Sequence, residues 1–107
     1  FTGYVTNRFF DSARARNQFL GSWDFVNGNN NVNGFNAHGL NCFSIVAAYI
    51  PGSYVGSCTE ANYHLLRTED APTEQIIEEY NWVMGAEYAD CAGVDVISSS
   101  LGYTTYD

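Results

Sequence analysis

The feature that most constrains the fold is the stretch NAHGLNCFSIVAAYIPG at residues 36–52. Phe43, Val46, Ala47 and Ile50 recur at the three- and four-residue spacing of a single helical face. Pro51-Gly52 ends the run, because proline cannot continue a helix and the pair favours a turn. The spacing predicts a short, buried helix with His38 in its first turn, reached through an Asn- and Gly-rich loop. Gly39, Ala47 and Ala48 carry so little side chain that neighbouring backbone can come close.

A helix of that kind must lie against something, and the flanking segments say what. Residues 20–26, LGSWDFV, alternate like a strand, with Trp23 and Phe25 on one face. Residues 61–67, ANYHLLR, read as a second strand, with His64 filling a polar position. Residues 7–18 read as one irregular helix and residues 53–58 as a connector. From residue 74 to 91 the pattern is helical, with Ile77, Tyr80, Met84, Tyr88 and Cys91 on one stripe. Glu78, Glu79, Glu87 and Asp90 lie largely off it and read as a solvated face. Gly93 closes that helix, and residues 94–100, VDVISSS, read as a third strand. Strands alternating with helices indicate an α/β domain with a parallel sheet and helices on its faces. In such sheets, sites form beyond the carboxyl ends of the strands. That directs attention to the loop before His38, to residues 68–73 and to Ser100-Leu101-Gly102.

Charge and cysteine content exclude several function classes. The 107 residues hold twelve acids against four Arg and no Lys, a net charge of −8. Nucleic-acid backbones and anionic membrane surfaces both require clustered positive charge, so neither is an expected partner. No apolar run approaches the roughly 20 residues of a membrane span. Cys42, Cys58 and Cys91 lack the paired spacing of a structural zinc site, and no metal or other cofactor is expected. Cys42, four residues after His38, reads as a small core residue rather than a catalytic thiol. The Asn-rich loop at 27–36 contains no carboxylate and reads as a solvated turn before a calcium ligand. His38 suits a general base, whose position matters before its pKa does; a helix cap or a satisfied polar residue would look the same.

Several phrases, taken together, resemble the subtilisin-like serine peptidases. His38-Gly39, heading a helix that ends in AAYIPG, resembles that family's HGTxVA motif. Residues 56–61, GSCTEA, are similar to its GVAPxA turn, and residues 93–102, GVDVISSSLG, to its GVDVINMSLG. Glu87, Tyr88 and Ala89 sit where the family's preceding helix commonly carries Glu, Trp and Ala. Phrases similar to GTWDFVN, YIPG and EEYNWV bring it closest to secreted members of the Bacteroidetes type. The chain departs from the pattern at Leu40, where the family has Thr, at Asn41 and Cys42, and at Ser98, where Asn is common.

The resemblance implies a fold, an activity and a set of site residues. The fold would be part of a subtilisin-like parallel sheet between two helical layers, truncated at both ends, so that residues 1–107 form an N-terminal and central fragment of one catalytic domain. His38 would be the general base of a Ser-His-Asp triad. Ser100, Leu101 and Gly102 would form a substrate-binding edge that pairs with an extended protein or peptide substrate. The triad Asp would precede residue 1, and the oxyanion Asn and nucleophilic Ser would follow Asp107. Asp11 and Asp24 lack the D-x-G setting of the triad acid. The parent would then be a secreted serine endopeptidase, the fragment alone inactive, and its partner the remainder of the parent domain. The departures at residues 40–42 motivate an alternative: a non-catalytic, acidic binding or structural domain on the same scaffold.

Overall fold

A computed structural model of the chain describes residues 1–34, 36–70 and 76–102. A 3-10 turn at Arg8–Phe10 runs into a short helix, α1, Asp11–Ala15, then strand β1, Phe19–Asp24, and helix α2, His38–Ala47. Two short strands follow, β2 at Tyr49–Ile50 and β3 at Tyr54–Val55, then strand β4, Tyr63–Arg67, and helix α3, Ile77–Ala92. β1 and β4 pair in parallel, with Phe19 opposite Tyr63 and Asp24 opposite Arg67. The expected α/β arrangement is therefore present, built on a two-stranded parallel sheet.

Side-chain alternation along the strands assigns the layers. Phe19, Tyr63 and Leu65 face α2 and join Phe10, Phe43 and Ala47 in the core. Phe43 is the hub: its ring stacks on Phe10 at 4.9 Å and meets Tyr63 edge-on at 5.0 Å. The opposite face carries Gly21, His64 and Thr68 and lies under α3. A Cβ on Gly21 would sit 2.9 Å from the Tyr88 hydroxyl, and one on Gly85 would sit 3.1 Å from Thr68 Cγ2. The sheet is thus covered on both sides, as parallel sheets require.

Four elements differ from the sequence reading. The helix expected over 7–18 shortens to the 3-10 turn and α1, because Asn17 turns into the left-handed region at φ 54°. α2 ends at Ala47 rather than reaching Ile50, since Tyr49–Ile50 pair antiparallel with Tyr54–Val55 across the Pro51-Gly52-Ser53 turn. The presumed connector is therefore half of a hairpin. Its far end completes α2: the amides of Gly56, Ser57 and Cys58 donate to Ala48, Ile45 and Val46 carbonyls at 2.7, 3.0 and 2.8 Å, satisfying acceptors that a helix end leaves open.

The third difference is the face that α3 presents. Glu78, Asn81, Gly85 and Ala89 are its buried residues, whereas Ile77, Tyr80 and Met84 of the apolar stripe are exposed. Small residues let the helix approach the sheet closely, and that closeness outweighs the apolar pattern. The fourth is residues 94–100, which form no strand. Gly93 closes α3 as expected, in the left-handed region, and the Val94 amide bonds back to Ala89 O at 3.2 Å. The chain is then held along α3 by a 3.0 Å bond from Trp82 Nε1 to Ser99 Oγ, leaving Val96 82% exposed. Residues 71–75, which include the expected start of α3 and part of the 68–73 segment, lie outside the described residues.

Candidate active site

The path of the chain between β1 and α2 is set by asparagines. Asn29 Oδ1 accepts from Asn31 N at 2.9 Å, Asn31 Oδ1 from Asn33 N at 3.0 Å, and Asn36 Oδ1 from His38 N at 2.7 Å. Such side chains bond backbone two residues on and fold a loop without a ladder. Asn33 Oδ1 accepts from Gly3 N at 2.7 Å and ties the loop to the start of the chain. The asparagines at 27 and 29–31 are exposed, whereas Val32 is fully buried in the core, so the loop is anchored by one apolar residue as well as closed by its own side chains. The bond from His38 N to Asn36 Oδ1 holds the first amide of α2, and His38 stands exposed in the first turn.

Phe1 marks which end of the sheet this is. Its ring lies 3.2 Å from where a Cβ on Gly39 would sit, and its amino group donates to Asn36 O at 3.4 Å. Phe1, Asn36, His38 and Arg67 line one common space. Asp24 and Arg67 are the last residues of β1 and β4. His38 therefore stands at the carboxyl end of the parallel pair, where ligand sites of such sheets form.

A cavity of about 590 Å³ opens there, between the first turns of α2, β4, α3 and the extended segment after it. His38, Ser100 and Leu101 line it together, with Trp82 on the α3 side. Gly102, the third residue of the expected binding edge, is exposed and not part of that lining. Among the described residues nothing hydrogen-bonds the His38 ring. Asp11 pairs with Arg14, and Asp24 bonds the 25–27 turn and Arg67, so neither acid is a partner for His38. His64 lies on the other face under Tyr88, ring centroids 5.9 Å apart, with Nδ1 buried and without a hydrogen-bond partner among the described residues. Among the described residues no group of three His, Cys, Asp or Glu side chains is placed to hold a metal.

The sequence reading missed the ion pair between Asp24 and Arg67 at 2.9 Å, with the Asp24 side chain fully buried. A signal was available: with four Arg and no Lys in the chain, an Arg ending one apolar strand and an Asp ending another are natural partners. It also missed Trp82, whose indole joins α3 to the segment carrying Ser100.

The sequence model of the subtilase family, the S8 peptidases, matches residues 3–107. No curated protein and no solved structure matches the chain.

Proposed function

The chain belongs to the subtilase family, and from that membership we propose that residues 1–107 are the histidine-bearing part of a serine endopeptidase domain. His38 is the general base, taking the proton of a serine hydroxyl and returning it to the leaving amine. Ser100, Leu101 and Gly102 present backbone to an extended peptide substrate, which binds as an added strand. The nucleophile, the oxyanion donor and the triad acid belong to the remainder of the parent polypeptide, and the 107 residues alone are inactive. Acyl transfer by this route uses no cofactor.

The observation that carries the reading is the placement of His38: fixed by Asn36 at the head of α2 and lining one cavity with Ser100 and Leu101. An exposed ring is reachable by a hydroxyl from another segment. Extracellular location goes with the same reading; among the described residues no helix is long and apolar enough to cross a membrane. The finer affinity, to secreted members of the Bacteroidetes type, rests on the SWDFVN, YIPG and EEYNWV phrases.

The test is to treat the full-length protein with a serine-directed fluorophosphonate probe and to map the labelled peptide. Labelling of one serine outside residues 1–107, with parallel loss of peptide hydrolysis, is expected. A protein that neither labels nor hydrolyses would favour the non-catalytic, acidic binding domain on the same scaffold, which the departures Leu40, Asn41 and Cys42 motivate.

A further inference from the structure

We propose that Asp24 and Arg67 act as a positioning pair, fixing the connection that delivers His38; this rests on the reading of His38 as the base. Asp24 is 0% exposed, and its carboxylate is used on every side. Oδ1 accepts from Val26 N at 2.8 Å and Asn27 N at 3.1 Å. Oδ2 accepts from Asn27 Nδ2 at 3.2 Å and Arg67 Nη1 at 2.9 Å. Its own amide donates to Asn29 O at 2.7 Å, its carbonyl accepts from Gly28 N at 2.8 Å, and the next amide, Phe25 N, reaches Arg67 O at 2.9 Å. One residue thus sets where β1 stops, how the chain reverses, and how that reversal is held against β4.

From there the asparagine series carries the constraint onward. Asn29 receives the Asp24 amide on its backbone and holds Asn31 with its side chain, and Asn31 holds Asn33. The step to Asn36 runs through the first residues of the chain, Asn33 Oδ1 accepting from Gly3 N at 2.7 Å and the Phe1 nitrogen donating to Asn36 O at 3.4 Å. Asn36 Oδ1 then accepts from His38 N. Replacing a buried ion pair with apolar groups is often neutral or stabilising, whereas removing one partner is costly. What the pair adds is direction: a carboxylate bonded to a turn on one oxygen and to a neighbouring strand on the other leaves that turn a single orientation.

The pair can be separated from fold stability in the full-length protein. The double variant D24N/R67M keeps an acceptor for the Val26 and Asn27 amides and the backbone pairing of the strands, and removes the ion pair across their ends together with the Arg67–Asp70 contact at 3.4 Å. It is expected to melt close to wild type while kcat for peptide hydrolysis falls tenfold or more at unchanged KM. The His38 Hε1 resonance is expected to be single in the wild type and to shift or split in the variant. Asn31→Ala, an exposed change within the asparagine series, is expected to lower kcat severalfold without altering the melting temperature, and decides the matter should the double variant not fold. Folded variants with wild-type kcat and an unmoved His38 resonance would overturn the proposal. An inactive wild type, or full activity in His38→Ala, would instead sink the peptidase reading, and the resonance would still report whether the pair places the ring.

Discussion

Tyr63 shows how one residue can join the core to the loop beyond it. Its ring packs edge-on against Phe43, while its hydroxyl donates to Cys58 O. Burial pushes its phenol above the ordinary 10.0, and a Cys58 thiolate would push it further. A phenol whose folded-state pKa is raised lets the unfolded chain lose its proton first as pH rises. Its contribution is therefore complete below about pH 10 and is lost as pH climbs through the folded value. Urea unfolding between pH 8 and 11 should show stability falling above about pH 10, and Tyr63→Phe should flatten that fall at a cost of about 1 kcal/mol near neutrality. An equally steep alkaline fall in the variant would remove Tyr63 as its cause. The same scale explains why His38 was legible in the sequence and Asp24 was not. His38 follows a loop and precedes a run with helical period, which is local information; the partner of Asp24 is on a strand reached only after the chain has passed through α2.

At the scale of elements, α3 gives the sharpest divergence between pattern and packing. Its apolar stripe satisfies the rule for a core-facing helix, yet Tyr80 is 64% exposed and Ala89 is 3% exposed. The sheet face beneath it carries Gly21, His64 and Thr68, and such a surface accepts a helix through small residues. Two substitutions distinguish the orientations. Tyr80→Glu should change the unfolding free energy of the chain by no more than about 0.5 kcal/mol, as exposed sites do. Ala89→Leu should cost about 1–3 kcal/mol through overpacking. The reverse order, measured by denaturant titration at low protein concentration, would mean that the stripe faces inward. Residues 94–100 teach a related lesson. β-branched composition shows that a segment can extend, but a strand also needs a neighbour about 4.8 Å away. Here the Trp82–Ser99 bond keeps the segment along α3, with the cavity lying between it and β4. The strands at 19–24 and 63–67 were legible because both have a partner and a covered face.

Among the described residues, the whole molecule is a parallel pair with helices on both faces and no partner strand on either outer edge. Among the described residues β4 pairs with β1 alone, and Val96 and Ile97 are exposed beside the cavity along its other side. An open edge with apolar neighbours invites association. The 107-residue chain should sediment with a mass that rises with concentration, and Val96→Lys should reduce that rise. A monomer over the whole range, unfolding in one cooperative step, would contradict this. The open edge also fits a chain whose site is completed from elsewhere. That His38 and Ser100-Leu101 line one cavity was not readable from their two short motifs, because no local pattern encodes the cavity.

We propose His38 as the base in peptide-bond hydrolysis by the full-length protein. The most direct measurement compares kcat/KM for a peptide substrate between wild type and His38→Ala, with circular dichroism confirming that both are folded. A fall of about 10⁴-fold or more is expected in the variant, the scale on which loss of a triad member acts. A folded variant within tenfold of wild type would contradict it.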